Sequence, residues 1–466
     1  MKRSNLITLH PENPHYFLWK GEPTVLVTSS EHYGALINPD FDFEKYLHTL
    51  NELGYNNTRV FLGDYVEGPH DFCIEANTLA PLPGRFLCPW ARSDVPGFDL
   101  GGNKFDLDRW NPDYFRRLHA FFTLAESLGI VVETLFFFIG TNWAHLPLNP
   151  ANNINGIKAI RPEEYLTLHN GNILERQEAY VRKLTGELSR YGNLIFNICM
   201  EPWFLNAEHT GFVSPPSAET KAWIQRVSEW ITEADKGSDG RKHLISVDYS
   251  NRGARIPPEE LATYFRNVSV FNTHYDKYAE LVRLNYDLPR AFAYNETGFL
   301  DTYHSEEYRV HGWRFLFSGG ALYNNLDYTF QTGAEDGRGR AEFSCPDYVG
   351  CGNPEIKHQL VHLLAFMRSV PFLKMKPDRS VIAVGDFEED VWPLAWPGHE
   401  YAFYIERGHS CRLVLNIPSG TYHIRWIDPV TGKVITEETA ENREEQLKVV
   451  SPVYLRDILL HIKSTE

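Results

Sequence analysis

The chain is 466 residues long, with 61 acidic against 45 basic side chains and a formal charge of −16. That length exceeds one ordinary domain and fits a barrel of the usual size plus an appended module. The acidic balance excludes a nucleic-acid footprint, and no apolar run is long enough to span a bilayer as a helix.

Apolar and charged shares of 43% and 23% are those of a soluble globular protein. The aromatic share, 14%, is high, and many rings stand beside Gly, Pro, Asn and Asp in loop-like stretches where sugars stack. Met1-Lys2-Arg3-Ser4-Asn5-Leu6 turns polar too early for a signal peptide's apolar segment, so a cytoplasmic protein is expected. The six cysteines show neither a CxxC pair nor zinc spacing. Cys199 falls mid-strand as a small apolar residue, and Cys345 and Cys351, although spaced to close a loop, are expected as free thiols.

In chain order, residues 5–23 predict a β-hairpin with a second turn at Lys20–Pro23, placed to plug a barrel floor. Thr24–Thr28 is a first barrel strand, 43–53 a helix and Asn56–Asp64 a second strand. A long loop over 65–110 carries Phe72, Phe86, Trp90, Phe98, Phe105 and Trp110, which argue for a packed wall beside a cleft. Helix 112–128, with Asn111 as N-cap and Pro112 at its first position, leads to a third strand over 130–139. A helix near 173–191 precedes a strand over 194–200, and helix 218–234 precedes one over 243–249. Short helix 257–264 leads to strand 268–274; a linker then reaches the strand ending near Glu296, helix 305–317, strand 320–328 and helix 354–370. Eight strands alternating with helices predict an α/β fold, a (β/α)8 TIM barrel over 1–375. From 376 to 466, short alternating segments separated by turns predict an antiparallel β-sandwich.

Two strands end on glutamates. Leu194–Trp203 is an apolar run that stops at Glu201-Pro202, because proline offers no ladder N–H. Pro289–Phe299 repeats the pattern and breaks at Gly298 after Glu296. Carboxylates at the C-terminal ends of two barrel strands stand on the rim where barrels carry their chemistry, and glycoside hydrolysis needs such a pair across the scissile bond. Around them, Arg59 ends strand two and is expected to hold Glu296 ionised; His274 and Asn272 share a strand face and could donate to the same carboxylate. Glu31 and His32 follow strand one as candidates for a terminal-sugar pocket. Asn142, Trp143 and Trp203 follow strands three and four, where rings could stack on a pyranose. Asn325 and Asp327 end strand eight as hydroxyl binders, and Asp248 ends strand five as a spare carboxylate.

The layout resembles the clan A glycoside hydrolases, whose acid/base Glu ends strand four and whose nucleophile Glu ends strand seven. Met200-Glu201-Pro202-Trp203 is similar to their Asn-Glu-Pro signature, and Asn295-Glu296-Thr297-Gly298 matches the nucleophile position. Arg59 matches the family's strand-two arginine, and His274 and Tyr275 its His and Tyr after strand six. Pro14-His15-Tyr16-Phe17 and Gly21-Glu22-Pro23, with Trp426-Ile427-Asp428-Pro429 and Thr431-Gly432 near the end, resemble the apiosidase-like, cellulase-related proteins. That group joins such a barrel to a collagen-binding-like β-domain. One departure is Met200, which stands where the family has the Asn that binds the sugar 2-hydroxyl; that contact is lost unless Asn197 or a loop group replaces it.

The resemblance implies a retaining β-glycosidase with Glu201 as acid/base and Glu296 as nucleophile, exo-acting on an unusual glycone such as apiose. It implies no cofactor and no metal. The expected partner is an oligosaccharide or glycoside, not nucleic acid or membrane, with homo-oligomerisation left open. Two alternatives stand beside it: an endo-acting cellulase- or mannanase-like hydrolase with an open groove, and a catalytically silent carbohydrate-binding barrel.

Overall fold

The structure, a computed structural model, describes residues 6–204, 215–237, 240–298, 306–340 and 354–465. Three short antiparallel strands open it: β1 (Thr8–Leu9), β2 (Phe17–Trp19) and β3 (Glu22–Thr24). The expected hairpin therefore has a third strand, because Trp19 pairs directly with Glu22. A two-residue loop of that kind needs left-handed backbone at both positions, which Lys20 (φ 52°) and Gly21 (φ 81°) supply. This small sheet lies on the barrel floor: Ile7 N–H donates to Gly192 O at 2.9 Å, just before a barrel strand.

There follow β4 (Leu26–Ser30), α1 (Phe43–Leu53), β5 (Asn57–Phe61), β6 (Trp90–Pro96), β7 (Asn103–Trp110), α2 (Pro112–Leu128) and β8 (Val131–Phe137). Next come α3 (Ile173–Leu188), β9 (Leu194–Cys199), α4 (Ala218–Ala234), β10 (Leu244–Asn251), α5 (Pro258–Thr263) and β11 (Val270–His274). The barrel ends with α6 (Glu280–Asn285), β12 (Ala291–Glu296), α7 (Glu306–Phe317), β13 (Leu322–Leu326) and α8 (Pro354–Ser369). Eight strands form one parallel sheet in the order β4-β13-β12-β11-β10-β9-β8-β5, the eight read from the sequence. Their residues are buried on both faces, which is why they read as nearly continuous apolar runs. Among the described residues no ladder joins β4 to β5. The Asn56 side chain closes that seam, accepting from Val27 N–H (3.0 Å) and donating to Val25 O (2.8 Å), and Phe61 N–H reaches Tyr33 O at 3.0 Å.

The 65–110 stretch is more ordered than expected, since β6 and β7 pair as an antiparallel hairpin inside it. Its aromatics do pack: the Arg92 guanidinium lies 4.6 Å from the Phe98 ring centre and 4.0 Å from that of Phe105. The linker after β11 contains the short α6. Asn111 caps α2 through the N–H of Asp113, with Pro112 at the first position as read.

Beyond the barrel lie β14 (Ile382–Gly385), β15 (Val391–Trp396), β16 (Glu400–Ile405), β17 (Arg412–Leu415), β18 (Gly420–Ile427), β19 (Val434–Asn442), β20 (Leu447–Val450) and β21 (Ile458–Ser464). They form two antiparallel sheets, β14-β17-β20 and β15-β16-β21-β18-β19. The sequence reading lacked β15, because Pro393 sits inside it; an edge strand tolerates the missing donor, and β15 is at the edge. Tyr401, Phe403, Leu415, Trp426 and Ile462 fill a core between these sheets, while Trp392, Tyr404 and Leu459 join the core of the barrel. α7 is the shared surface. Trp313 stacks on Tyr404 with ring centres 5.5 Å apart, Arg309 forks onto Asp457 (3.2 and 2.5 Å), and Arg314 pairs with Glu406.

Cys88, Cys199 and Cys411 are buried free thiols. Cys73 is disulfide-bonded; Cys345 and Cys351, the two expected as free thiols, lie outside the described residues. Among the described residues no helix is long and apolar enough to cross a membrane.

Candidate active site

β9 and β12 deliver Glu201 and Glu296 to the same end of the barrel, and β11 stands between them with His274 at its end. Register shifts after Thr273 and after Asp248 pair His274 with both Glu296 and Asn251. Irregularities of this kind re-aim side chains at barrel rims. His274 Nδ1 lies 2.9 Å from Glu201 and 3.6 Å from Glu296, and its Nε2 lies 3.0 Å from Asp248. Facing oxygens of the two glutamates are within 4.8 Å of one another. Glu296 accepts hydrogen bonds from Tyr275 (2.8 Å) and Tyr33 (3.2 Å).

Three bulky residues here hold left-handed backbone: Glu201 (φ 41°), Tyr275 (φ 53°) and Tyr33 (φ 59°). Such conformations cost about 1–3 kcal/mol each and collect at functional sites, where surrounding contacts enforce them.

Arg59 touches Glu296, as expected, but only at 3.6 Å. Its nearer partners are Asp248 (2.9 Å) and Glu133 (3.3 Å), both buried in the barrel interior. Asp248 and Glu133 also take up the amides of Asn197 and Asn272, at 2.7–3.2 Å. Those two residues therefore serve the layer beneath the glutamates, and the Asn197 amide is not available to replace the group missing at Met200. Asn325 and Asp327 are similarly engaged: Asn325 donates to Ser29 at 2.9 Å, and Asp327 pairs with Lys357 at 2.9 Å. Glu31 is turned inward, accepting from the N–H groups of Gly34 and Ala35 and from Thr78, and it shapes the loop after β4.

Nearer the mouth, His32 Nε2 lies 3.3 Å from Glu67, whose carboxylate also accepts from Tyr65 and Asn77. His32 Nδ1 is buried without a hydrogen-bond partner. Asn142 donates to Tyr65 (3.0 Å) and Asp71 (2.8 Å), tying the loops after β5 and β8 together. Trp203 meets the His274 ring edge-on at 5.8 Å and forms a wall, whereas Trp143 is half-buried against Tyr165.

Tyr33, Glu67, Tyr65 and Glu133 were not singled out from the sequence. Glu133 had a signal: a carboxylate amid Val131-Val132 and Thr134-Leu135, the same anomaly that marked Arg59. The tyrosines had none, since their role depends on loop conformation.

Burial pushes the Glu201 carboxyl up, His274 opposes that, and the charges of Glu296 and Asp248 add to it. Burial works against charge on His274 too, but Glu296, Asp248 and Glu201 outweigh it and lift the imidazole to about 10. Asp248 is held well below the usual carboxylate range, because Arg59, His274 and Asn272 outweigh the cost of its burial. Glu201, His274 and Glu296 offer three ligand atoms close enough for a metal ion. Both imidazole nitrogens of His274 lie within 3.0 Å of a carboxylate oxygen, an arrangement that favours the protonated ring, which has no lone pair to offer a metal.

No family model matches the chain, and no curated protein sequence matches it. Among solved structures it resembles a glycoside hydrolase over 100% of this chain and 98% of that one, at 14% identity and a TM-score of 0.63. It also resembles a family 5 glycoside hydrolase from Bacteroides vulgatus (15% identity, 99% and 94% coverage, TM-score 0.65). A putative glycoside hydrolase from the same organism is similar at 14% identity, with 99% and 82% coverage and a TM-score of 0.66. Identities this low speak for the fold alone, and the chain has that fold from end to end: an eight-stranded parallel barrel followed by a β-rich region.

Proposed function

We propose that the chain is a retaining β-glycosidase with Glu201 as acid/base and Glu296 as nucleophile. The observation that carries this reading is the pair of strand-end glutamates with oxygens within 4.8 Å, on either side of His274. Retaining enzymes hold their carboxyl groups about 5–5.5 Å apart, whereas inverting ones leave about 6.5–9.5 Å for a water. Glu201, raised by burial, gives its proton to the leaving oxygen. Glu296, held by Tyr275 and Tyr33, attacks the anomeric carbon to form a glycosyl-enzyme. Glu201 then takes a proton from water as that water releases the sugar.

Exo action on a neutral, unusual glycone such as apiose suits the site. Glu201 and Glu296 are 8% and 3% exposed, which suits a closed site more than an open groove. Met200 removes the amide that would read a 2-hydroxyl. Turnover of a panel of aryl glycosides (apioside, arabinoside, galactoside and glucoside) tests the reading. Wild type should release phenol from at least one and Glu296→Gln from none. A wild-type protein inert on the whole panel that still binds the sugars would identify a binding barrel.

A further inference from the structure

Asp248 is fully buried and lies beneath both glutamates, yet it has no part in the chemistry described above. Its Oδ1 is occupied by the amides of Asn197, Asn272 and Asn295, at 2.9, 2.9 and 3.3 Å. Its Oδ2 adds a second set of partners: Arg59 Nη2 at 2.9 Å, which also reaches Oδ1 at 3.2 Å, His274 Nε2 at 3.0 Å and the main-chain N–H of Glu201 at 3.4 Å. The last two lead to one residue, because the other nitrogen of His274 lies 2.9 Å from the Glu201 carboxylate.

We propose that Asp248 is the positioning residue for the acid/base Glu201, gripping its main-chain N–H directly and its carboxylate through His274. The inference rests on the roles assigned above. Glu201 needs such a hold, since its backbone sits in the left-handed region with no glycine to make that easy. A carboxylate behind His274 also keeps a proton on Nδ1, aimed at Glu201, so the acid cannot swing toward the neighbouring Glu296. The charged and titratable groups within ion-pair reach of His274 are Glu201 after β9, Asp248 on β10 and Glu296 on β12, with Tyr275 next in the chain and Arg59 on β5 paired to Asp248. Three are carboxylates, and Arg59 offsets them from the side of Asp248. With Asp248 neutral, the proton on His274 is held less firmly and Glu201 loses its fixed donor.

Leaving-group dependence separates positioning of the acid from general damage. General acid catalysis contributes about 10²–10⁴-fold, and an activated leaving group does not need it. Asp248→Asn should therefore lose about 10²-fold in kcat/KM on a methyl glycoside but less than about 10-fold on the 2,4-dinitrophenyl glycoside of the same sugar. His274→Gln should show the same split, and the double variant should be no worse than the poorer single, as for two residues acting on one path. Equal losses on both substrates, or losses that multiply in the double variant, would overturn the proposal. A second arm needs no activity and no variant. In ¹⁵N NMR of the wild-type protein, both ring nitrogens of His274 should stay protonated at pH 8. A neutral His274 at that pH would also overturn it, whereas an inert wild-type enzyme with a protonated His274 would refute the glycosidase reading alone.

Discussion

Tyr275 donates its hydroxyl to Glu296 Oε1 across 2.8 Å, from a backbone held at φ 53°. The left-handed backbone at Tyr275 accompanies this contact, whose acceptor ends the neighbouring strand β12. Hydrogen bonds to charged groups contribute about 1.5–3 kcal/mol. Tyr275→Phe should accordingly lower kcat/KM by about 10–100-fold on an activated aryl glycoside while leaving the melting temperature nearly unchanged. An unaltered rate would remove Tyr275 from the support of the nucleophile.

The stereochemistry of rescue distinguishes the two glutamates. Glu296→Gly should be inactive, and azide filling the space should yield the α-glycosyl azide from a β-glycoside. Glu201→Gly should still form the glycosyl-enzyme from an activated substrate, after which azide should give the β-azide. NMR of both products and of the first-formed wild-type sugar checks this. Swapped azide configurations would exchange the roles.

The pH profile carries a sign. Glu201 must hold its proton to act as acid, and burial raises its carboxyl, so protonation and activity persist to higher pH than for a free glutamate. The basic limb of kcat/KM then reports the Glu201–His274 pair as a whole. On a substrate with a poor leaving group, Glu201→Gln should abolish that limb along with most of the rate; a limb left in place would mean that another group titrates there.

Asp235 makes a prediction about stability. It accepts from His243 Nδ1 and from the N–H groups of His243 and Gly237, and these partners overcome its burial to hold the carboxyl at about 2. A depressed carboxylate stabilises the fold above its unfolded value, and that stability is lost as pH falls through the folded value. Wild type should exceed Asp235→Asn by about 2 kcal/mol at pH 7, and the gap should close between about pH 4 and pH 2 in denaturant titrations.

α7 connects the barrel to the C-terminal sheets through Arg309–Asp457 and Arg314–Glu406, both buried. Removing one partner of a buried pair costs about 3–5 kcal/mol, so Arg309→Ala should unfold at clearly lower denaturant. Ending the chain after Met375 should uncover Trp313, Phe317 and Phe366, which now face Tyr404 and His461, and give aggregated protein. A soluble, fully active barrel would overturn this.

The eight barrel strands were legible because strands buried on both faces leave apolar runs of the right length, and the two glutamates because they interrupt such runs at the end. The layer below was only partly legible. Arg59 and Asp248 stood out as charges on strands, but their partnership spans 189 positions, and nothing local reveals it. Asn197 and Asn272 lie within strands and Asn325 and Asp327 at a strand end, as read; whether a side chain there faces the mouth or the interior depends on register shifts and packing, which alternation along one strand does not specify. Tyr33 and Tyr275 reach Glu296 only through left-handed backbone that tyrosine seldom adopts.

The seam at Asn56 bears on how the chain is made. β4 emerges early from the ribosome, but among the described residues its only ladder partner is β13, where Asn325 meets Ser29 across 296 positions. Through most of synthesis β4 has no strand to pair with, and an unpaired apolar strand invites foreign ones. Asn56 lies only 29 positions from Val27 and satisfies two main-chain groups of the waiting strand with one amide. One side chain thus offers β4 a local hold that does not wait for its distant ladder partner, and the finished cylinder keeps it where no ladder runs among the described residues.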